Sequence, residues 1–77
     1  MNDFDTLRLS VAARLDKYHL SLIWLSTAIQ MDKGVYRDTS SLSLAITGRR
    51  RTGTYADILA EASEVIDRYE RDYVVRA

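Results

Sequence analysis

Proline is absent from this chain, and glycine stands only at positions 34, 48 and 53. Proline removes a backbone donor and glycine frees φ, so these residues are the strongest local breaks in a helix. With one kind missing and the other this sparse, the three glycines decide where helices stop. There is also no cysteine, and no Cys/His cluster of zinc-binding type, among the 77 residues. The fold must therefore hold by helix packing, helped by association with a second copy, because a chain this short buries only about 60–65% of its unfolded surface. One domain over residues 1–77 is expected, with a core of about 4–69 and a C-terminal extension of 70–77.

Between the breaks the apolar residues recur at helical spacing. Phe4, Leu7, Val11, Leu15 and Tyr18 lie three or four apart and predict a first helix to about Tyr18 or His19, with Asp3 or Asp5 as its cap. Leu22, Ile23, Trp24, Leu25, Ala28, Ile29 and Met31 form the most apolar stretch. It is too short to span a membrane and predicts a buried second helix, capped by Ser21 and ended by Asp32, Lys33 and Gly34. Periodicity alone leaves a buried strand open there. Val35 to Asp38 is a connector. Asp38 or Thr39 caps a third helix with Leu42, Ala45 and Ile46 inward, and Gly48 fits the left-handed position just past its end. Thr54, with Asp57 three residues on, predicts a capping-box start for a fourth helix. Its stripe is Tyr55, Ile58, Leu59, Ala62, Val65, Ile66 and Tyr69, and Glu64–Arg68 and Asp67–Arg71 are spaced as pairs on its wet face. The fold class is all-α, four to five short helices.

Net charge is zero, yet its distribution is uneven. Residues 33–54 carry Lys33, Arg37, Arg49, Arg50 and Arg51 against Asp38 alone, a balance of +4. Residues 1–32 set Arg8, Arg14 and Lys17 against Asp3, Asp5, Asp16 and Asp32, a balance of −1. Residues 55–77 set Arg68, Arg71 and Arg76 against Asp57, Glu61, Glu64, Asp67, Glu70 and Asp72, a balance of −3. One basic zone between two acidic ones implies an anionic partner met on one surface. The acidic residues Asp57, Glu61 and Glu64 are expected on a solvated face. Within the basic zone, Thr39 to Gly53 runs as a short helix, a glycine stop, three arginines and a second glycine.

That arrangement resembles the helix-turn-helix domains of phage repressors and Cro-like regulators. The resemblance is carried by Trp24-Leu25-Ser26 in the second helix and by Leu42-Ser43-Leu44-Ala45-Ile46-Thr47-Gly48-Arg49-Arg50 at the end of the third, and it covers about residues 7–69. Two places depart from the family pattern. Gln30 to Thr39 makes a longer turn, similar to small regulators of Gram-positive phages and prophages. Ser21 or Leu22, and small hydroxyls, stand where the family places a bracing glutamine and its base readers.

What the resemblance implies is a phage-repressor-like DNA-binding transcriptional regulator acting on double-stranded DNA as a homodimer; a cytoplasmic location is expected from the lack of a membrane-length apolar run and of a signal-peptide pattern at the N-terminus. Its third helix would enter the major groove and lead with its N-terminal residues. Thr39, Ser40, Ser41 and Leu44 would then face bases or phosphates, with little selectivity from the hydroxyls and a thymine-methyl contact from Leu44. Arg37 is the stronger specific reader if the connector brings it into the groove. Arg49, Arg50 and Arg51 suit phosphate oxygens; the plainer alternative is a set of cations near the negative end of the third helix. Tyr69, Tyr73, Val74 and Val75 are the expected dimer contact.

The alternative is a protein-binding module, an antirepressor or inhibitor that uses the same fold on a phage or host regulatory protein. Zero net charge and the acidic fourth helix favour it. An architectural, excisionase-like role is a third possibility. Trp24 is expected in the core, or else as an interface anchor, and the five tyrosines are expected half-buried. His19 is expected as a plain helix-end residue. No nucleophile–base pairing, phosphate-binding glycine loop or carboxylate dyad is present, so neither enzymatic activity nor a cofactor or metal is expected.

Overall fold

A computed structural model describes residues 3–74 of the chain; Val75, one of the expected dimer contacts, lies outside them. The described residues are all-α: α1 (Asp3–Lys17), α2 (Leu22–Lys33), α3 (Thr39–Thr47) and α4 (Thr54–Tyr69), followed by one π-helical turn, Glu70–Val74. No helix among them is long and apolar enough to cross a membrane.

α4 is the central element and packs against all three other helices. Its stripe is the one its spacing predicts: Ile58, Leu59, Ala62, Val65 and Ile66 are buried, and Tyr55 and Tyr69 are half-buried at its ends. Val11 and Leu15 of α1, Leu25 and Ile29 of α2, and Leu42 and Ala45 of α3 complete one cluster. A fully buried aliphatic side chain contributes about 1.5–3 kcal/mol. Among the described residues α4 supplies five of the eleven buried hydrophobic residues, more than any other helix.

The helix ends follow local chemistry. The Ser21 hydroxyl accepts the Trp24 N–H at 3.0 Å, and Asp38 caps α3. Gly34 (φ +71°) and Gly48 (φ +79°) close α2 and α3 in left-handed conformations. His19 does the same for α1 at φ +57°, with Leu20 N–H donating to the Leu15 carbonyl at 2.8 Å.

Several expectations are corrected. Asp3 and Asp5 sit inside the first turn of α1 rather than ahead of it. α2 continues to Lys33, so the turn before α3 is Gly34 to Asp38 only, not a loop from Gln30. Thr54 is already helical, and Gly53 (φ +59°, ψ −121°) caps α4 with no side-chain hydrogen bond. With Thr54 inside the helix and not at its cap, the Thr54–Asp57 box does not form. Among the described residues the charges of α4 do not make the expected Glu64–Arg68 and Asp67–Arg71 pairs: Glu64 meets Lys33, Asp67 meets Arg14, and Arg68 meets Asp32 and also Asp72, four residues on. Tyr36 and Tyr73 are exposed rather than half-buried.

Candidate nucleic-acid interface

The short connector ahead of α3 is pinned on two sides. Ser26, a buried polar residue of α2, donates its hydroxyl to the Arg37 carbonyl at 2.6 Å. The Arg37 guanidinium donates through Nε and Nη2 to the two oxygens of Glu61 on α4, each at 2.9 Å. Both side chains are about one-fifth exposed, at 19% and 18%. A forked pair of this geometry is charge-assisted and directional, and the Glu61 carboxylate raises the Arg37 pKa further. Arg37 therefore braces the connector on α4 in this structure and does not point outward as a groove reader, and Glu61 is not part of a solvated acidic face.

Asp38 then closes the N-terminus of α3. Its carboxylate accepts the Ser41 N–H at 3.2 Å and the Ser41 hydroxyl at 2.7 Å. Those hydrogen bonds, the hydroxyl's first, hold the Asp38 pKa below the ordinary carboxylate range. Ser41 is thus engaged with the cap. Thr39 and Ser40 are exposed on the same turn. Leu44 is half-buried, while Thr47 is exposed and donates its hydroxyl to the Ser43 carbonyl at 2.8 Å.

At the other end, Gly48 turns the chain and the Leu44 carbonyl accepts the N–H groups of Arg49 (3.1 Å) and Arg50 (3.3 Å). Arg49, Arg50 and Arg51 are all exposed, but not equivalent. Arg51 Nη2 donates to Asp5 Oδ1 of α1 at 2.6 Å, and its guanidinium lies over the Phe4 ring at 4.9 Å. None of the ion pairs among the described residues involves Arg49 or Arg50. The nine residues of α3 span roughly 13 Å, so the exposed hydroxyls and the two unpaired arginines stand at opposite ends of one short helix.

Arg8 also belongs to this end of the molecule. Its Nε donates to Asp5 Oδ1 at 2.8 Å, and its Nη1 reaches the Ile46 carbonyl at 3.5 Å. Its Asp5 partner lies three residues back on α1, but its approach to Ile46, Gly48 and Arg51 spans some forty residues of chain, which no local pattern marks.

A second surface lies at the other end of α1. Tyr69 is ringed by Tyr18, Trp24 and Tyr73, with centroids at 5.6, 5.4 and 5.3 Å. Trp24 is half-buried and helps to line a groove of about 480 Å³ with Met31, Tyr69 and Tyr73. Met31 is 83% and Tyr73 74% exposed; Val74 is partly exposed at the same end. The Tyr18 hydroxyl donates to Glu70, and Arg14 bridges Asp67, Glu70 and Ser63, tying α1 to the end of α4. His19 is exposed, and no group of three or more metal-ligating side chains occurs among the described residues.

Comparison with protein-family models, with curated proteins and with solved structures finds no match for this chain.

Proposed function

We propose that this all-α domain is a DNA-binding regulator of the phage-repressor type, with α3 in the major groove of a duplex and Arg49 and Arg50 on its phosphates. The observation that carries it is the contrast among the arginines. Arg8, Arg37 and Arg51 are matched by carboxylates, whereas Arg49 and Arg50 stand exposed and unmatched directly after the end of α3. Unpaired cations beside a helix whose exposed residues, Thr39, Ser40 and Thr47, all carry hydroxyls suit a phosphate backbone, whose contacts position a protein without reading sequence. Thr39, Ser40 and Leu44 supply the groove-facing contacts, and none of them is a bidentate reader. Discrimination between sites is accordingly modest, with pairing of two copies through the Tyr69–Tyr73–Val74 end raising affinity.

The test is duplex binding by the wild type and by an Arg49→Ala/Arg50→Ala variant at two salt concentrations. Binding that weakens steeply with salt, and is lost in a folded variant, supports the proposal. A folded wild type that binds no duplex at low salt overturns it.

A protein-binding role is the second reading, and the groove beside Trp24, Met31 and Tyr73 is what favours it. Complex formation through that groove would respond little to salt, unlike phosphate contact. A Tyr73→Ala/Met31→Ala variant that keeps its DNA affinity per protomer but no longer pairs would assign the groove to self-association.

A further inference from the structure

We propose that Arg8 and Arg51 form a second phosphate site beside Gly48, occupied in the free protein by the Asp5 carboxylate and opened when a phosphate displaces it. This deepens the DNA-binding proposal and rests on it for the identity of the natural ligand.

One oxygen, Asp5 Oδ1, accepts from both guanidiniums, from Arg8 Nε at 2.8 Å and from Arg51 Nη2 at 2.6 Å. An oxyanion held between two arginines is the arrangement that binds a phosphate oxygen, and the two forks are better matched to a phosphate than to a single carboxylate oxygen. Two cations against one anion leave the pair with excess positive charge. The three side chains remain partly open to solvent, with exposures of 24%, 30% and 38% for Arg8, Asp5 and Arg51, so an outside anion can reach them.

The backbone makes room for the convergence. A Cβ at position 48 would meet Arg8 Nε at 2.9 Å and Arg51 Nη1 at 3.1 Å. The missing side chain is what lets two guanidiniums, one from α1 and one from the loop, meet over the end of α3. Arg8 is also anchored toward the Ile46 carbonyl, and Arg51 is backed by the Phe4 ring. Both cations would keep these supports after Asp5 leaves. The site adjoins Arg49 and Arg50 in the chain, so a duplex strand that meets those two residues passes next to it.

The experiment uses the full chain and its Asp5→Asn variant, which keeps the shape of the side chain and removes its charge. Asp3→Asn is the control: Asp3 is exposed on the same turn and belongs to no ion pair among the described residues. Inorganic phosphate is titrated while the Nε–H resonances of Arg8 and Arg51 are followed. In D5N both resonances should move together and saturate at a phosphate concentration roughly tenfold lower than in the wild type or D3N. In the duplex arm, D5N should bind several-fold more tightly than D3N and steepen the salt dependence by about 0.9, the value for one more phosphate.

Equal phosphate response in D5N and D3N overturns the site. Where the wild type binds duplex, a D5N gain on duplex no larger than that of D3N overturns it as well. If the wild type binds no duplex but D5N still takes up phosphate through Arg8 and Arg51, the site stands and the DNA-binding proposal falls. Asp5→Ser, checked for helix content, repeats both arms should the asparagine disturb the first turn of α1.

Discussion

Ahead of α3, the guanidinium of Arg37 lies flat against Glu61 with two of its N–H groups engaged. Behind α3, Arg49 and Arg50 stand in solvent with no carboxylate partner among the described residues. Both flanks belong to the same basic stretch of sequence, and a charge count treats them alike. In the fold they differ in kind: the first charge is a strut of the connector and the others are free for a partner. A formal balance of charge along a chain therefore overstates what a ligand can meet, because the fold takes some charges for itself. In the DNA-binding proposal the difference assigns phosphate contact to the loop beyond α3 and leaves the exposed Thr39 and Ser40 of its first turn, not Arg37, for the groove.

Substituting each flank separates these roles. Arg49→Ala/Arg50→Ala should lower duplex affinity by about 100-fold at low salt and reduce the salt slope by roughly 1.8, for two phosphates lost. The melting temperature should not move, since neither side chain forms an ion pair. Arg37→Ala should do the reverse. It leaves Glu61 facing the emptied position and should destabilise the domain by about 1–3 kcal/mol, the scale of a charge-assisted hydrogen bond. For a domain this small that is a fall of roughly 4–8 °C in Tm per kcal/mol. Its duplex affinity, measured well below Tm, should stay within about threefold of wild type. Loss of DNA binding in R37A with an unchanged Tm would break the comparison and return Arg37 to the groove.

How far the chain could be read in advance follows the same division. The α4 stripe, the Ser21 cap and the glycine stops at 34 and 48 depend on neighbours within one or two turns, and spacing exposes such relations directly. The partner of Arg37 lies 24 residues away and that of Arg51 lies 46 away. No periodicity reports contacts at that separation. The i,i+4 pairs expected on α4 gave way for this reason: Lys33, Arg14 and Asp32 come close enough in space to compete with neighbours on the same helix. Ser26 carried a weak hint, a polar residue inside the most apolar run, but its acceptor on the connector could be known only from the packed structure. Of the candidate site, the exposed loop was legible and the fate of each arginine was not.

The two glycine-ended helices sharpen the contrast at smaller scale. Gly34 and Gly48 share a left-handed φ, and alanine at either should cost about 1–2 kcal/mol in backbone strain. Around Gly34 nothing lies within 4 Å of an added Cβ, so the cost should end there. At Gly48 the added carbon meets the Arg8 and Arg51 guanidiniums. G48A should therefore be the more destabilised of the two, and it alone should alter the salt dependence of duplex binding. Equal losses of Tm and unchanged DNA binding in both variants would mean that the arginines behind α3 swing freely and are not gathered over its end.

Acid provides the mildest probe, and it acts on the flank ahead of α3. The Asp38 pKa is lowered in the fold, chiefly by the Ser41 hydroxyl and then by the Ser41 N–H. A depressed carboxyl contributes stability that is fully present above its unfolded pKa, near 3.9, and is lost as pH falls through the lower folded value. Asparagine at this position still accepts a hydrogen bond from the helix end but does not titrate. Asp38→Asn should therefore melt slightly below wild type at neutral pH, and the gap should narrow as pH drops below about 4. Thermal melts from pH 7 to pH 2 measure it. Curves that stay parallel over that range would show that the carboxylate gains nothing from Ser41, and that α3 is held at its front by the Arg37–Glu61 pair and the Ser26 hydroxyl without help from its cap.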